Sequence, residues 1–182
     1  MGAEARKGMS IYRAADAPRL EETDLMRPMT VSESTITDMA ETMAEAGAWA
    51  QAGQEVRVLV RQTAEEGGFS LTHAWFKAGY VLPRHSHSGD CMYYVVSGEL
   101  SMGAQTLRAG DAFFLPTDAP YAYQAGPDGV EVLEIRRGVH DFDMQVADGQ
   151  RNRFEALAAA AAANGPRWEA EELSPTMAAN RG

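Results

Sequence analysis

Glycine-marked turns cut the middle of this chain into pieces too short for helices. Glycines stand at 67, 68, 79, 98, 103, 110, 126 and 129. The pieces between them are rich in β-branched and aromatic residues, the mark of strands. Val56–Gln62 alternates, with Val56, Val58 and Val60 on one face, and Phe69–Lys77 follows after a turn at Glu66-Gly67-Gly68, which reads as a hairpin. Further strands are expected at Met92–Val96, Leu100–Met102, Gln105–Leu107, Ala112–Leu115, Tyr121–Gln124 and Val130–Arg136. The turns between them fall at Gly98-Glu99, Gly103-Ala104, Arg108–Asp111 and Gly126–Gly129. Many short strands at regular spacing predict an all-β antiparallel barrel or sandwich.

Helical patterns flank this region. After a polar, proline-interrupted start, Ile36, Met39, Ala40, Met43 and Ala46 recur at three- and four-residue steps. This predicts a helix from Thr30 or Ser32 to about Trp49, capped by Ser32 or Thr35 and ended near Gly47 or Gly53. Alanine-rich Gln150–Ala163 predicts a second helix, stopped by Asn164-Gly165-Pro166. The chain thus divides into an N-terminal extension (1–54), a barrel (55–138) and a C-terminal helical extension (139–182). The extensions either cover barrel edges or pair two copies as a homodimer.

The candidate chemistry centres on His85 and His87. Residues i and i+2 of a strand face the same side, so one short segment aims two imidazoles at one point. Converging neutral imidazoles suit a divalent ion of Fe, Zn, Mn, Ni or Cu. Cys91 is either a thiolate ligand completing that set or a small buried filler. Tyr93, Tyr121 and Tyr123 are expected to line the cavity, with Tyr93 and Tyr121 the candidate catalytic groups. Asp90 reads as a loop residue, and His73 and His140 as structural histidines, although either can supply a missing nitrogen. In the strand VEVLEIRR, Leu133 and Ile135 are expected to face the core, which sends Glu134 outward.

These residues carry a resemblance. Gly79, His85, His87 and Gly98 keep the spacing of the first motif of the cupin superfamily, and Gly110 and Pro116 that of the second. The chain is similar to small single-domain bacterial cupins over about residues 55–137. The resemblance implies a cupin-type antiparallel β-barrel, or jelly roll, that binds a divalent metal through three histidines and a glutamate. Only His85 and His87 carry over, because Cys91 stands at the glutamate position and Tyr121 at the third histidine. The implied function is a metal-dependent enzyme of oxygenase or isomerase/lyase type acting on a small organic molecule. The alternative is a non-catalytic cupin that binds a small ligand as sensor or store.

Composition narrows the partners. The formal net charge is −10, spread along the whole chain, and no basic stripe exists. Nucleic acid and anionic membranes are therefore poor partners. A single cysteine forbids an internal disulfide and suits a reducing compartment. With no apolar leader or membrane span, the expected location is the cytoplasm. Lysine occurs only at Lys7 and Lys77, which leaves little room for Schiff-base chemistry. No nucleophile elbow, phosphate loop or dinucleotide fingerprint is present.

Overall fold

The computed structural model describes residues 8–23, 25, 28–62, 68–137 and 143–179. Helices α1 (Glu33–Met43) and α2 (Gly47–Ala52) precede strand β1 (Gln54–Arg61). Then come β2 (Phe69–Phe76), β3 (His85–Ser86), β4 (Cys91–Met102), β5 (Gln105–Arg108), β6 (Ala112–Leu115), β7 (Gln124–Arg137) and β8 (Gln145–Val146). Helices α3 (Arg151–Ala170) and α4 (Pro175–Ala179) close the chain. Six strands form one antiparallel sheet in the order β1-β2-β7-β4-β5, with β6 also on β4. The short pair β3–β8 forms a second sheet. This is the expected all-β cupin-type architecture with helical extensions.

The expected helix over 32–49 is interrupted. Ser32 caps α1 by accepting the Thr35 amide at 3.2 Å. The chain then turns at Ala44–Ala46 and restarts as α2. Ile36, expected in the buried stripe, is exposed, and Thr35 is buried in its place.

Two expected turns lie inside strands. β4 runs through Gly98 and β7 runs through Gly126–Gly129, with irregular register at Val95/Ser97 and Gly98/Leu100. These are bulges, which let long strands bend without ending. Gly98 has φ +71°, and a Cβ there would collide with the Gly129 carbonyl. Only glycine permits that crossing.

Helix α3 overruns its stop signal by a full turn and carries Pro166 inside it. Packing overrides the local preference. Gly165 lies so close to Trp49 that a Cβ would overlap the indole. Beyond it, Trp168 is fully buried against Tyr80 and donates its indole N–H to the Ala78 carbonyl at 3.1 Å. Lys77 Nζ donates to the Trp168 and Glu171 carbonyls. Burial of a whole indole outweighs one missing backbone hydrogen bond.

The main core gathers Ala74, Phe76, Tyr80, Tyr93, Val95, Leu100, Tyr123, Val130, Val132, Leu157 and Trp168 between sheet and helices. No helix among the described residues is long and apolar enough to cross a membrane.

Candidate functional site

The histidine segment is held from both sides. Across from His85 stands Tyr121. The His85 amide donates to the Tyr121 carbonyl at 3.1 Å, and the Tyr121 amide returns a bond to His85 at 2.9 Å. Directly opposed residues share a face, so the two rings meet with centroids 4.6 Å apart. On the other edge, His85 and Ser86 pair with Val146 and Gln145 of β8.

Main-chain carbonyls fix both imidazoles. His85 Nδ1 lies 2.8 Å from the Pro83 oxygen, and His87 Nδ1 lies 2.5 Å from the Asp143 oxygen. A carbonyl can only accept, so each Nδ1 carries the proton. Burial, then the neighbouring His87, lowers the His85 pKa to about 4. Burial, then Arg136, lowers that of His87 to about 4. Both rings are therefore neutral at pH 7, and each Nε2 presents a lone pair. That is the tautomer and orientation metal-binding histidines adopt when a carbonyl holds the other nitrogen.

The two rings lie edge to face, 4.8 Å apart, at a cavity with about 60 Å³ of space for water-sized molecules. Leu82, Phe76, Val56, Leu20 and Met144 supply its apolar wall; Tyr121, Glu134, Arg136 and Asp143 supply polar groups. Tyr121 Oη is 3.3 Å from His87 Nε2 and 2.7 Å from Tyr93 Oη. Burial, then Glu134, holds both phenols well above their ordinary pKa.

Glu134 faces inward, contrary to the expectation from its strand. β7 pairs Glu134 with Tyr93 on one side and Thr72 on the other. Tyr93 and Thr72 are fully buried, so Glu134 and Arg136 share their face while Ile135 is exposed. The Arg136 guanidinium donates to Glu134 at 3.0 Å, and Arg136 Nε donates to Cys91 Sγ at 3.4 Å. Burial opposes the Arg136 charge, but Glu134, Tyr93 and Cys91 together outweigh it and the pKa moves up. Burial, then Glu134, pushes the Cys91 thiol up.

The structure thus brings His85, His87, Tyr121 and Tyr93 together. Cys91 is buried and accepts from Arg136 Nε. Among the described residues, no three His, Cys, Asp or Glu side chains are grouped to hold a metal ion. Asp90 sits in an exposed loop and accepts from the Thr117 amide and hydroxyl. His73 is bonded to Glu131 at 2.8 Å on the other face of β2. His140 lies outside the described residues. Tyr123 is buried in the core, and its hydroxyl has no hydrogen-bond partner among the described residues.

The model of the ChrR cupin-like domain family matches residues 37–139, more than half of the chain. The chain belongs to that family. This cupin is also similar to several solved structures. A KdgF from a Halomonas species is 21% identical, over 49% of this chain and 83% of its own, with TM-score 0.43. The polyketide cyclase RemF from Streptomyces resistomycificus is 18% identical, over 58% and 84%, with TM-score 0.46. An RmlC-like cupin from Ralstonia eutropha is 14% identical, over 84% and 88%, with TM-score 0.47. No curated protein matches the chain. The family match stops before Asp143, Gln145, Val146 and Gln150, so this cupin's histidine segment is organised partly by residues outside it.

Proposed function

We propose that this cupin is a metal-dependent enzyme acting on a small organic molecule, with His85 and His87 holding a divalent ion through Nε2. The observation that carries the reading is the locked pair of imidazoles. Both are neutral, both are tied at Nδ1, and both face one cavity. Two such nitrogens fit a borderline transition metal and leave coordination positions open for substrate. A bound ion supplies a Lewis acid for a carbonyl or enolate oxygen, chemistry common to oxygenase and isomerase or lyase reactions.

The chain's own residues do the rest. The cavity holds roughly four to six waters' worth of space, which favours a molecule of a few heavy atoms. The apolar wall orients its hydrocarbon part. Tyr121 sets its hydroxyl oxygen beside His87 at the cavity, with Tyr93 bonded to it from behind.

A second reading has its own support: among the described residues no three His, Cys, Asp or Glu side chains form a donor group, as suits a metal-free ligand-binding cupin. Metal analysis separates the two. Protein purified without added metal is expected to carry a stoichiometric transition ion, and a His85→Ala/His87→Ala double variant to carry none. Metal-free wild-type protein after growth and purification with ample Fe, Zn, Mn, Ni and Cu would favour the binding module. A Cys91→Ser variant is expected to keep its metal.

A further inference from the structure

We propose that Tyr121 Oη is the third protein donor to the ion on His85 and His87, making a two-histidine, one-tyrosinate centre suited to Cu(II). The inference rests on the metal reading above. Three observations support it.

The first is distance. Tyr121 Oη lies 3.3 Å from His87 Nε2. Donors about 2.0 Å from the centre of a tetrahedral site stand about 3.3 Å from one another. The separation is long for a hydrogen bond from a phenol and matches one edge of a coordination shell. The second is backbone geometry. Paired amide and carbonyl bonds hold Tyr121 opposite His85, so the phenol shares the histidines' face whether or not an ion is present.

The third is elimination. Glu134 is bonded to Arg136 at 3.0 Å and to Thr72 at 3.4 Å. The Cys91 thiol accepts from Arg136 Nε. The Asp143 carboxylate accepts the Ser88 amide at 3.0 and 3.2 Å. Among these described side chains, Tyr121 is the one hydrogen-bonded to His87 Nε2. Tyr93 completes the arrangement. Its hydroxyl is 2.7 Å from Tyr121 Oη and can donate to a phenolate there, as an outer-shell partner tunes a ligand.

Binding breaks the Tyr121 O–H bond and forms an oxygen–metal bond. The proton passes to solvent, and the metal keeps its oxidation state. One phenolate oxygen beside two imidazoles is a nitrogen and oxygen donor set, which suits Cu(II).

The test is Cu(II) titration of full-length apoprotein, in the wild type and in a Cys91→Ser background that removes any thiolate band. One equivalent is expected to bind and to produce a visible phenolate-to-copper charge-transfer band. Resonance Raman excited in that band is expected to show tyrosinate ring modes, a readout that needs no variant. Tyr121→Phe, checked for folding by circular dichroism, is expected to abolish the band and weaken binding by about tenfold or more. Tyr93→Phe is expected to keep the band and shift its energy. Copper bound without tyrosinate modes, or a band that survives in Tyr121→Phe, overturns the inference and leaves the two-histidine reading standing. A wild type that binds no Cu(II) overturns both.

Discussion

The inward turn of Glu134 and Arg136 sets the character of the cavity. Two charged side chains are buried there among phenols, a thiol and neutral imidazoles, and their mutual bond compensates for lost hydration. Removing Glu134 takes away the carboxylate that compensates the buried Arg136 charge. Glu134→Ala is expected to cost about 3–5 kcal/mol, while the double variant Glu134→Leu/Arg136→Met recovers most of that loss. Urea unfolding of the three proteins checks it, and additive losses in the double variant would refute it. The imidazoles support a second prediction. With both pKa values near 4, neutral Nδ1-protonated tautomers are expected from pH 7 down to about pH 5 in metal-free protein. Long-range nitrogen NMR reads this directly, and an Nε2-protonated ring at either position would contradict it. Strand alternation grouped His85 with His87, and the motif resemblance set Tyr93 and Tyr121 around them. Glu134 was not legible in this way. Its face depends on which residues it pairs with in β2 and β4, and local hydrophobicity pointed the other way.

At the scale of elements, β3 is only two residues long and cannot hold two imidazoles by itself. Its rigidity is borrowed from β8 and the start of α3. Gln150 is buried and clamps Arg84, the residue before His85. Its side-chain oxygen accepts the Arg84 amide at 2.6 Å, and its amide group donates to the carbonyls of Arg84 and Ala147. Arg153 donates to the Leu82 and Tyr123 carbonyls. Gln150→Leu keeps the bulk but removes its bonds to the Arg84 amide and the Ala147 carbonyl, each at about 1–3 kcal/mol, while the Arg84 carbonyl keeps the Ala147 amide. It is expected to lower metal affinity about tenfold, as loss of an outer-shell support does. Gln150→Glu, which keeps the acceptor and loses the donors, should fall between. Metal titration decides, and unchanged affinity in Gln150→Leu would show that β3 stands without the clamp. The strands themselves were readable from alternation and glycine spacing. The clamp was not, because Gln150 reaches Arg84 from 66 residues away and has no local signature.

Across the whole molecule, the C-terminal extension is bound to the sheet through buried polar groups as well as apolar packing. Glu131, wholly buried on β7, accepts from His73 at 2.8 Å, from Ser97 at 2.8 Å and from the Thr176 amide at 3.0 Å; the Thr176 hydroxyl adds a further bond. Burial alone would raise the Glu131 pKa, but the hydrogen bonds from His73, Thr176 and Ser97 outweigh it and bring it to about 2. The ordinary value is 4.5. Between these limits the unfolded chain binds a proton that the folded chain does not. The contribution of Glu131 is therefore present in full above pH 4.5 and is lost as pH falls toward 2, on the order of 3 kcal/mol in all. Glu131→Gln should be less stable than wild type at pH 6, and the gap should shrink to less than half at pH 3. Denaturation midpoints at the two pH values measure it, and a gap that stays constant would mean the carboxylate charge plays no part. The overrun of α3 belongs to the same account. Residues 164–166 read locally as a stop, yet Trp49, Trp168 and Lys77 hold the helix on the barrel past that point, carrying the chain to the place where Thr176 meets Glu131.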